Sequence, residues 1–364
     1  RIKIMKKNIL ICTGGSGGHV IPAMSFYEHF EKEFNVYLSS DKRGLNYIDD
    51  SIDQNRVKLI NIPRFSKNIF KIPYVILIFI ISFFDSIFYL NKKKINFLVS
   101  TGGYMSIPMC LSAKLLGIKI FLFEPNLVIG RSNNFFLGIS KKIICYSEKI
   151  NNFPQAQNHK KFIIHSLFRR KLYEIKKNDQ NIKETFKILI IGGSQGADFF
   201  DNKMTNIMID IFKKKKISII QQITDENKKI SIQKQYNDLG IQSYLFGYDK
   251  NLFQNYNKID LAITRAGAST LSELFFFNIP FVAIPLPTSK DNHQLFNANY
   301  YKDRELSWVI NQKDCNHDSM VKFILDLIDS PQKILNKKQK MNKLSYHNTW
   351  NNINQRLIGI INEN

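Results

Sequence analysis

Residues 7–19 read KNILICTGGSGGH, and residues 187–198 read KILIIGGSQGAD. Both start on a lysine, run through an apolar segment and end in a glycine-rich turn that contains serine. The two copies stand about half of the 364-residue chain apart. An apolar strand that runs into a glycine turn and then a helix opens a doubly wound α/β domain, so two copies predict two such domains. Outward from these copies the alternation continues. Phe97–Ser100 ends in Thr101-Gly102-Gly103, and Leu261–Thr264 ends in Arg265-Ala266-Gly267. Val36–Ser39, Lys119–Phe123, Ile143–Cys145, Ile217–Ile220 and Phe281–Ile284 are further short apolar runs. Such runs, separated by helix-length stretches, read as parallel strands buried on both faces.

The length suits about two domains at ~150 residues each. A composition of 44% hydrophobic and 23% charged residues excludes a disordered chain. Residues 151–185 are polar and irregular, which marks the boundary. Pro331–Asn364 is rich in Lys and Asn, yet Ile353, Leu357, Ile360 and Ile361 fit a closing helix. The expected division is 1–163 with 345–364 as the first domain and 164–344 as the second.

With 52 basic and 30 acidic residues the net charge is +22, which invites a nucleic-acid or anionic-membrane reading. The chain is also crowded with Lys, Asn, Ile, Phe and Tyr, the residues an AT-rich genome encodes, so charge alone does not decide function. Cys12, Cys110, Cys145 and Cys315 form no CxxC pair and have no His at zinc spacing, which reads as reduced structural thiols. The basic start, Arg1–Lys7, precedes an apolar run too short for a signal core, and Met5 is a candidate natural start. Ile72–Leu90, IPYVILIFIISFFDSIFYL, nearly reaches the ~20 apolar residues of a membrane span. Pro73 and Asp85 count against spanning and point to a buried or surface-seated helix with an oversized apolar face.

In open parallel sheets, ligands sit beyond the carboxyl ends of the strands. Glycine there lets backbone N–H groups approach an anion, and the following helix N-terminus adds about half a positive charge. One such loop per domain suggests a phosphorylated ligand in the cleft between domains. Gly14–His19 is not a GxGxxG, because Val20 stands where the last glycine would be; Asp41, after a plausible second strand, keeps a nicotinamide reading in view. No GK[ST] follows, which excludes a Walker loop. His19, at a predicted helix start, reads as a general base or as a residue that merely caps the helix. Glu273 reads as a carboxylate that accepts two ribose hydroxyls, or as a helix acid favoured by the dipole.

Six blocks, in this order, resemble the MurG family within glycosyltransferase family 28 along nearly the whole chain. They are GGSGGHVIPA (14–23), STGGYMSIP (100–108), EPN (124–126), GGSQGA (192–197), RAGASTLSE (265–273) and KDNHQLFNA (290–298). The resemblance implies the GT-B fold: two Rossmann-like doubly wound parallel-sheet domains with the active site in the interdomain cleft. It implies an inverting N-acetylglucosaminyltransferase that moves GlcNAc from UDP-GlcNAc to the MurNAc 4-hydroxyl of lipid I, forming lipid II in peptidoglycan biosynthesis. It implies no cofactor and no metal, UDP-GlcNAc being a substrate. The implied partners are UDP-GlcNAc, lipid I (undecaprenyl-diphosphate-MurNAc-pentapeptide) and the anionic inner-membrane surface, with no nucleic acid. The implied location is peripheral, on the cytoplasmic face of the bacterial inner membrane.

Carried over by motif, Glu273 resembles the ribose-binding acid, and Ala268, Ser269, Thr270, Leu271 and Ser272 the turn beside the diphosphate and nucleoside. Ser194 matches a phosphate-contacting serine, Gln294 a glutamine on the donor sugar, and Asn126 an asparagine at the sugar side of the cleft. Ser16, Gly17 and Gly18 match the first loop and His19 its candidate base. Arg169 aligns with an arginine near the donor diphosphate. The family usually carries Gly-Asn-Pro-Val-Arg there; this chain reads His165-Ser166-Leu167-Phe168-Arg169, so Arg170 is an alternative. The family often has His where Phe123 stands, and Ile223-Thr224-Asp225 replaces its usual Ser/Thr-Gly after Gln221-Gln222. Its members dock on the membrane through an apolar patch ringed by basic residues. Phe70, Ile76, Phe79, Ile80, Phe83 and Phe84 are the candidates here, with Lys67, Lys71 and Lys92–Lys94. The rivals are another GT-B enzyme, such as a glycolipid transferase or a nucleotide-sugar epimerase, and a nucleic-acid-binding protein argued from charge. The glycine turns and RAGASTLSE have no purpose in the latter.

Overall fold

A computed structural model describes residues 6–62, 69–175, 185–193, 197–249 and 251–363. The chain forms two compact units, Arg1–Tyr173 with Asn348–Asn364, and Glu174–His347. The crossings therefore lie at 173/174 and 347/348, against the expected 163/164 and 344/345. The first comes later because the chain up to Tyr173 stays packed on the first unit: the Tyr173 hydroxyl donates to the Ser166 carbonyl at 3.2 Å, and its ring lies 5.8 Å from that of Trp350.

The first sheet has seven strands: β1 (Asn8–Cys12), β2 (Asn35–Ser40), β3 (Val57–Leu59), β4 (Ile95–Ser100), β5 (Lys119–Glu124), β6 (Lys142–Cys145) and β7 (Lys161–Ile163). They are all parallel and run β3-β2-β1-β4-β5-β6-β7. The second sheet has six: β8 (Phe186–Ile191), β9 (Ile217–Gln222), β10 (Ser243–Phe246), β11 (Leu261–Thr264), β12 (Phe281–Ala283) and β13 (Ser307–Val309). These too are parallel, in the order β10-β9-β8-β11-β12-β13. The order reverses between β1 and β4 and again between β8 and β11, the two switch points at which doubly wound sheets bind ligands.

Each apolar run read from the sequence is a strand. The four not visible as such, β3, β7, β10 and β13, are the outermost strands. They are three or four residues long and partly exposed, so they show no continuous apolar run. β7 lies inside the stretch expected to be irregular.

Alternate residues of the first sheet face opposite sides. Ile9, Ile11, Val36, Leu38, Val99 and Phe121 meet Phe26 and Phe30 of helix Gly17–Phe30 and Leu357 and Ile360 of helix Trp350–Asn362. Leu10, Cys12, Leu98, Ile120 and Leu122 face Tyr89, Leu90, Met109 and Ala113 on the other side. In the second unit Ile188, Ile190, Ile219 and Ile263 pack with Met204, Ile207, Ile211, Ile324 and Leu327. All four cysteines are buried and unpaired.

The closing stretch holds two helices, not one. Pro331–Ser345 belongs to the second unit and Trp350–Asn362 to the first. Thr349 caps the latter by accepting from the Asn352 N–H at 3.3 Å. His29 stacks on Trp350 at 3.7 Å, and burial pushes its imidazole down to about 4, so it packs there neutral. Helix Pro331–Ser345 buries Lys338 against Asp260 at 3.5 Å, and Asp260 also accepts from the Lys187 N–H at 2.9 Å, where β8 starts. Lys338→Met removes the charge paired with a buried carboxylate and is expected to cost ~3–5 kcal/mol by chemical denaturation. Lys338→Met with Asp260→Asn is expected to recover most of that loss. A cost below ~1 kcal/mol for the single change would show that the pair does not lock this helix.

Candidate active site

The first glycine turn leaves β1 at its carboxyl end and enters helix Gly17–Phe30. Gly15 sits at φ +86°, and its N–H donates to Asp41 Oδ1 at 2.8 Å. Asp41 also accepts from the Gly44 N–H at 3.0 Å and from Arg43 Nε at 2.8 Å. Burial opposes its charge, but these donors hold the carboxyl below its ordinary value. With both oxygens engaged by the protein, Asp41 is not laid out for a ribose, and the nicotinamide reading falls. Beyond Gly15 the loop is open. Ser16 makes no side-chain capping bond, Ser16 and Gly18 are exposed, and Gly17 is half-exposed. The first N–H groups of the helix have no acceptor within it, and the dipole adds positive potential.

His19 Nδ1 lies 2.8 Å from the Thr101 carbonyl oxygen. A carbonyl only accepts, so Nδ1 carries a proton, and Nε2 is the nitrogen left to accept one. Thr101 is itself fixed, its hydroxyl donating to Thr13 Oγ1 at 2.8 Å. Gly102 and Gly103, at φ +94° and +84°, leave room for the imidazole; a Cβ on Gly102 would stand 3.3 Å from His19 Cε1. The GGH and TGG blocks thus form one device, a link that neither block shows alone.

Glu124 of the EPN block is buried. It accepts from the Asn126 N–H at 3.1 Å, Asn126 Nδ2 at 2.9 Å, the Gly130 N–H at 2.7 Å and Asn133 Nδ2 at 2.9 Å. Asn126 is thereby held by its amide nitrogen. Arg169, expected at the donor diphosphate, spends its guanidinium on carboxylates of its own unit. Nε donates to Glu28 at 2.7 Å, Nη1 to Asp49 at 3.1 Å, and Nη2 pairs with both. The Arg170 N–H donates to Glu28 at 2.6 Å, and its guanidinium lies over Trp350 at 5.3 Å.

In the second unit the Gly193 N–H donates to Gln222 Oε1 at 2.9 Å, while Gln222 Nε2 donates to the Gly247 carbonyl at 3.0 Å. The end of β9 thus ties together the loops after β8 and β10. Ser194 lies outside the described residues. Helix Ala268–Phe276 follows Gly267, and Ala268, Ser269 and Thr270 form its half-exposed first turn. Leu271 and Ser272, expected beside the ligand, turn their side chains inward on the core face of this helix. The Ser272 hydroxyl donates back to the Ala268 and Ser269 carbonyls at 2.8 and 3.0 Å. What the turn offers outward is backbone N–H and the hydroxyls of Ser269 and Thr270.

Gln294 Oε1 accepts from the Ala266 N–H at 3.1 Å and the Leu286 N–H at 3.0 Å. Two backbone donors fix its oxygen, so the amide NH2 is the part left to reach outward. Asn297 Nδ2 donates to the Ala266 carbonyl at 3.1 Å. Arg265 is buried; its guanidinium donates to the Ile284 carbonyl at 3.1 Å and to Gln312 at 2.6 Å, and burial pushes its pKa down to about 10. Asn297 and Arg265 were not expected as site residues. The i,i+3 spacing from Gln294 was the available signal for Asn297. Glu273 Oε2 accepts from the Tyr256 hydroxyl at 3.1 Å. Burial pushes its carboxyl up to about 7 against the pull of that hydrogen bond.

Helix Ile72–Lys92 is apolar outside and polar inside. Its inward face carries Val75, Ser82, Ser86, Tyr89 and Leu90. The Ser82 hydroxyl donates to the Asn61 carbonyl at 3.2 Å, and the Ser112 hydroxyl donates to the Phe83 carbonyl at 3.0 Å. Of the expected patch, Phe70, Ile76, Ile80 and Phe84 are exposed, whereas Phe79 and Phe83 are half-buried. Ile72, Tyr74, Leu77, Ile81 and Phe88 enlarge it. Lys92 Nζ lies over the Phe88 ring at 5.7 Å, and Asp85 pairs with Lys58 at 2.7 Å. Lys67 lies outside the described residues. Among those described, this helix is long and apolar enough to cross a membrane, with a mean hydropathy of 2.0.

Residues 9–145 match the glycosyltransferase family 28 N-terminal domain, and residues 187–353 match the family 28 C-terminal domain. The UDP-N-acetylglucosamine–N-acetylmuramyl-(pentapeptide) pyrophosphoryl-undecaprenol N-acetylglucosamine transferase of Pelagibacter ubique is 45% identical over 99% of this chain and 100% of its own length. The crystal structure of Acinetobacter baumannii MurG aligns with a TM-score of 0.73 over 98% of this chain and 99% of that one, at 22% identity. A UDP-GlcNAc 2-epimerase from Neisseria meningitidis, bound to UDP-GlcNAc, aligns with a TM-score of 0.64 over 97% of this chain and all of its own, at 12% identity. Transferase and epimerase share the two-domain GT-B fold, so the fold alone does not choose between them; the full-length sequence match does. The chain belongs to the MurG family, the N-acetylglucosamine transferases of glycosyltransferase family 28.

Proposed function

We propose that this chain transfers N-acetylglucosamine from UDP-GlcNAc to the MurNAc 4-hydroxyl of lipid I, giving lipid II and UDP. The observation that carries the reading is the 45% identity over the whole length of the Pelagibacter transferase. The held imidazole of His19 supports it. The reaction is a direct displacement with inversion. The acceptor hydroxyl oxygen bonds to the anomeric carbon, the bond from that carbon to the diphosphate oxygen breaks, and UDP leaves with the electron pair. His19 Nε2 takes the hydroxyl proton. UDP-GlcNAc brings its own leaving group, so the displacement uses no cofactor.

The first-turn N–H groups of helix Ala268–Phe276, the hydroxyls of Ser269 and Thr270, and Ser194 are assigned to the charge that grows on the diphosphate. Leu271 and Ser272 contribute backbone alone. Glu273 is assigned the ribose diol, since a carboxylate accepts from two hydroxyls at once. The Gln294 NH2 is assigned an acceptor atom of the donor sugar, and Ser16, Gly17, Gly18 and Asn126 the sugar end. Arg169 is assigned no diphosphate contact; its two carboxylate partners give it the task of holding the crossing segment.

The outward face of helix Ile72–Lys92 is assigned to the anionic inner-membrane surface, with the chain peripheral on the cytoplasmic side. Each large apolar side chain taken out of water contributes ~1.5–3 kcal/mol, and each nearby lysine ~1 kcal/mol. The excess of positive charge is assigned to that surface and not to nucleic acid.

With labelled UDP-GlcNAc and a lipid I analogue, the purified chain is expected to give lipid II and an equal amount of UDP. Folded protein that shows neither transfer nor saturable UDP-GlcNAc binding would refute the reading. His19→Ala is expected to lower turnover by ~10²–10⁴-fold; a loss below ~tenfold with the fold intact removes His19 as the base. Gly102→Ala puts a methyl against that ring in a strained backbone region. It is expected to lower turnover at least ~tenfold with UDP-GlcNAc affinity unchanged. In flotation with anionic vesicles, the triple change Ile80→Ser, Phe84→Ser, Phe88→Ser is expected to release the protein. Full retention would send the docking surface elsewhere.

A further inference from the structure

We propose that Tyr256 is a positioning residue for the donor site: its buried hydroxyl grips one oxygen of Glu273 and aims the rest of the carboxylate at the ribose diol. The inference rests on the donor reading above and deepens it. Tyr256 is 3% exposed, on the turn Leu252–Lys258, and its ring meets that of Phe277 at 5.1 Å. Its hydroxyl donates to Glu273 Oε2 at 3.1 Å. That hydroxyl is the one hydrogen-bond partner of the Glu273 side chain among the described residues. A carboxylate offers about four acceptor positions. One is used inside, and Glu273 is half-buried on its helix, which leaves the other positions for a ligand.

The hydroxyl does a second thing. Burial works against an ionised carboxyl at this position, and the Tyr256 hydrogen bond works for it. Burial, Glu273 and then Asp249 hold the phenol well above its ordinary value, so it stays a donor across neutral pH. Helix Pro331–Ser345, which packs against helix Ala268–Phe276, spends its buried Lys338 on Asp260. Tyr256 is therefore the neighbour that both aims the acid and favours its charged form against burial.

Tyr256→Phe keeps the ring and its packing and removes only the hydroxyl. The test measures the UDP-GlcNAc dissociation constant by calorimetry from pH 5.5 to 9 for the unaltered chain, Tyr256→Phe and Glu273→Gln. The phosphates of this sugar diphosphate stay charged throughout, and Glu273→Gln separates the carboxyl's part of the profile from that of other titrating groups. In the unaltered chain affinity is expected to rise with pH through about 7 as Glu273 ionises, and below that to fall by up to ~tenfold per pH unit. In Tyr256→Phe the rise is expected to move up by about one pH unit, with affinity at pH 7 lower by ~3–10-fold. Glu273→Gln is expected to bind weakly with a flat profile. A Tyr256→Phe profile identical to the parent, or one lowered evenly with its midpoint unmoved, overturns the positioning role while leaving the donor site standing. An unaltered chain that binds no UDP-GlcNAc at any pH overturns the donor reading itself.

Discussion

A parallel sheet must be covered on both faces, so every strand sends its crossover helix to one side or the other. In each unit the side changes at one place, between β1 and β4 and between β8 and β11. There, two neighbouring loops part and leave backbone groups that neither sheet nor helix pairs. The chemistry of both units depends on that geometry. His19 and Thr101 are 82 residues apart, yet they meet because Cys12 and Ser100 are partners in adjacent strands. In the second unit Ile191 and Thr264 are partners, and the Arg265 N–H donates to the Ile191 carbonyl at 3.1 Å. The loops that carry Gly193 and Arg265 thus start side by side.

The same constraint decides what could be read in advance. Strands buried on both faces contain little but apolar residues, as in NILIC and FKILII, and they stand out from their surroundings. Edge strands such as VKL and SWV face water and carry no such mark. The motifs put His19 at a helix start and Glu273 one turn into a helix, as the fold has them, because glycine turns and helix starts are local features. They do not show which groups meet, because strand register decides that. Arg169 aligns with an arginine near the donor diphosphate, and only the fold shows Glu28 and Asp49 brought to it. Leu271 and Ser272 sit in the turn that the motif marks, but with their side chains turned inward. Leu271 and Leu274 lie on one face of a helix, and that spacing already points inward, so the periodicity outweighed the motif.

Helix Ile72–Lys92 reverses the ordinary economy of a surface helix. Packing on a neighbouring helix uses Ser82 and Ser86, small residues that allow close approach, and the hydroxyls of Ser82, Ser86 and Ser112 close on backbone carbonyls. The phenylalanines and isoleucines that would make a core are left outside. Such a face is costly in water and has no use unless something apolar covers it. Asp85, paired with Lys58, and Lys92, over the ring of Phe88, stand toward the carboxyl end of this helix. Before Asp85 the outward face of the helix is apolar, from Ile72 through Phe84.

Three carboxylates near the switch points differ in how far the protein itself satisfies them. Glu124 takes four donors from the protein, which fills the acceptor positions a carboxylate has. Asp41 takes the N–H groups of Gly15 and Gly44 and the Arg43 guanidinium, and those donors outweigh its burial. Among the described residues Glu273 has a single donor, Tyr256, and burial leaves its carboxyl near 7. A saturated carboxylate has nothing left to give a ligand, and its work is to hold the loop that surrounds it. An under-supplied one is held at an electrostatic cost that further hydrogen-bond donors would relieve. Two ribose hydroxyls would supply them, and binding would then draw the acid into its charged form. The deficit of donors at Glu273, more than its place in a motif, separates it from the other acids at these loop ends.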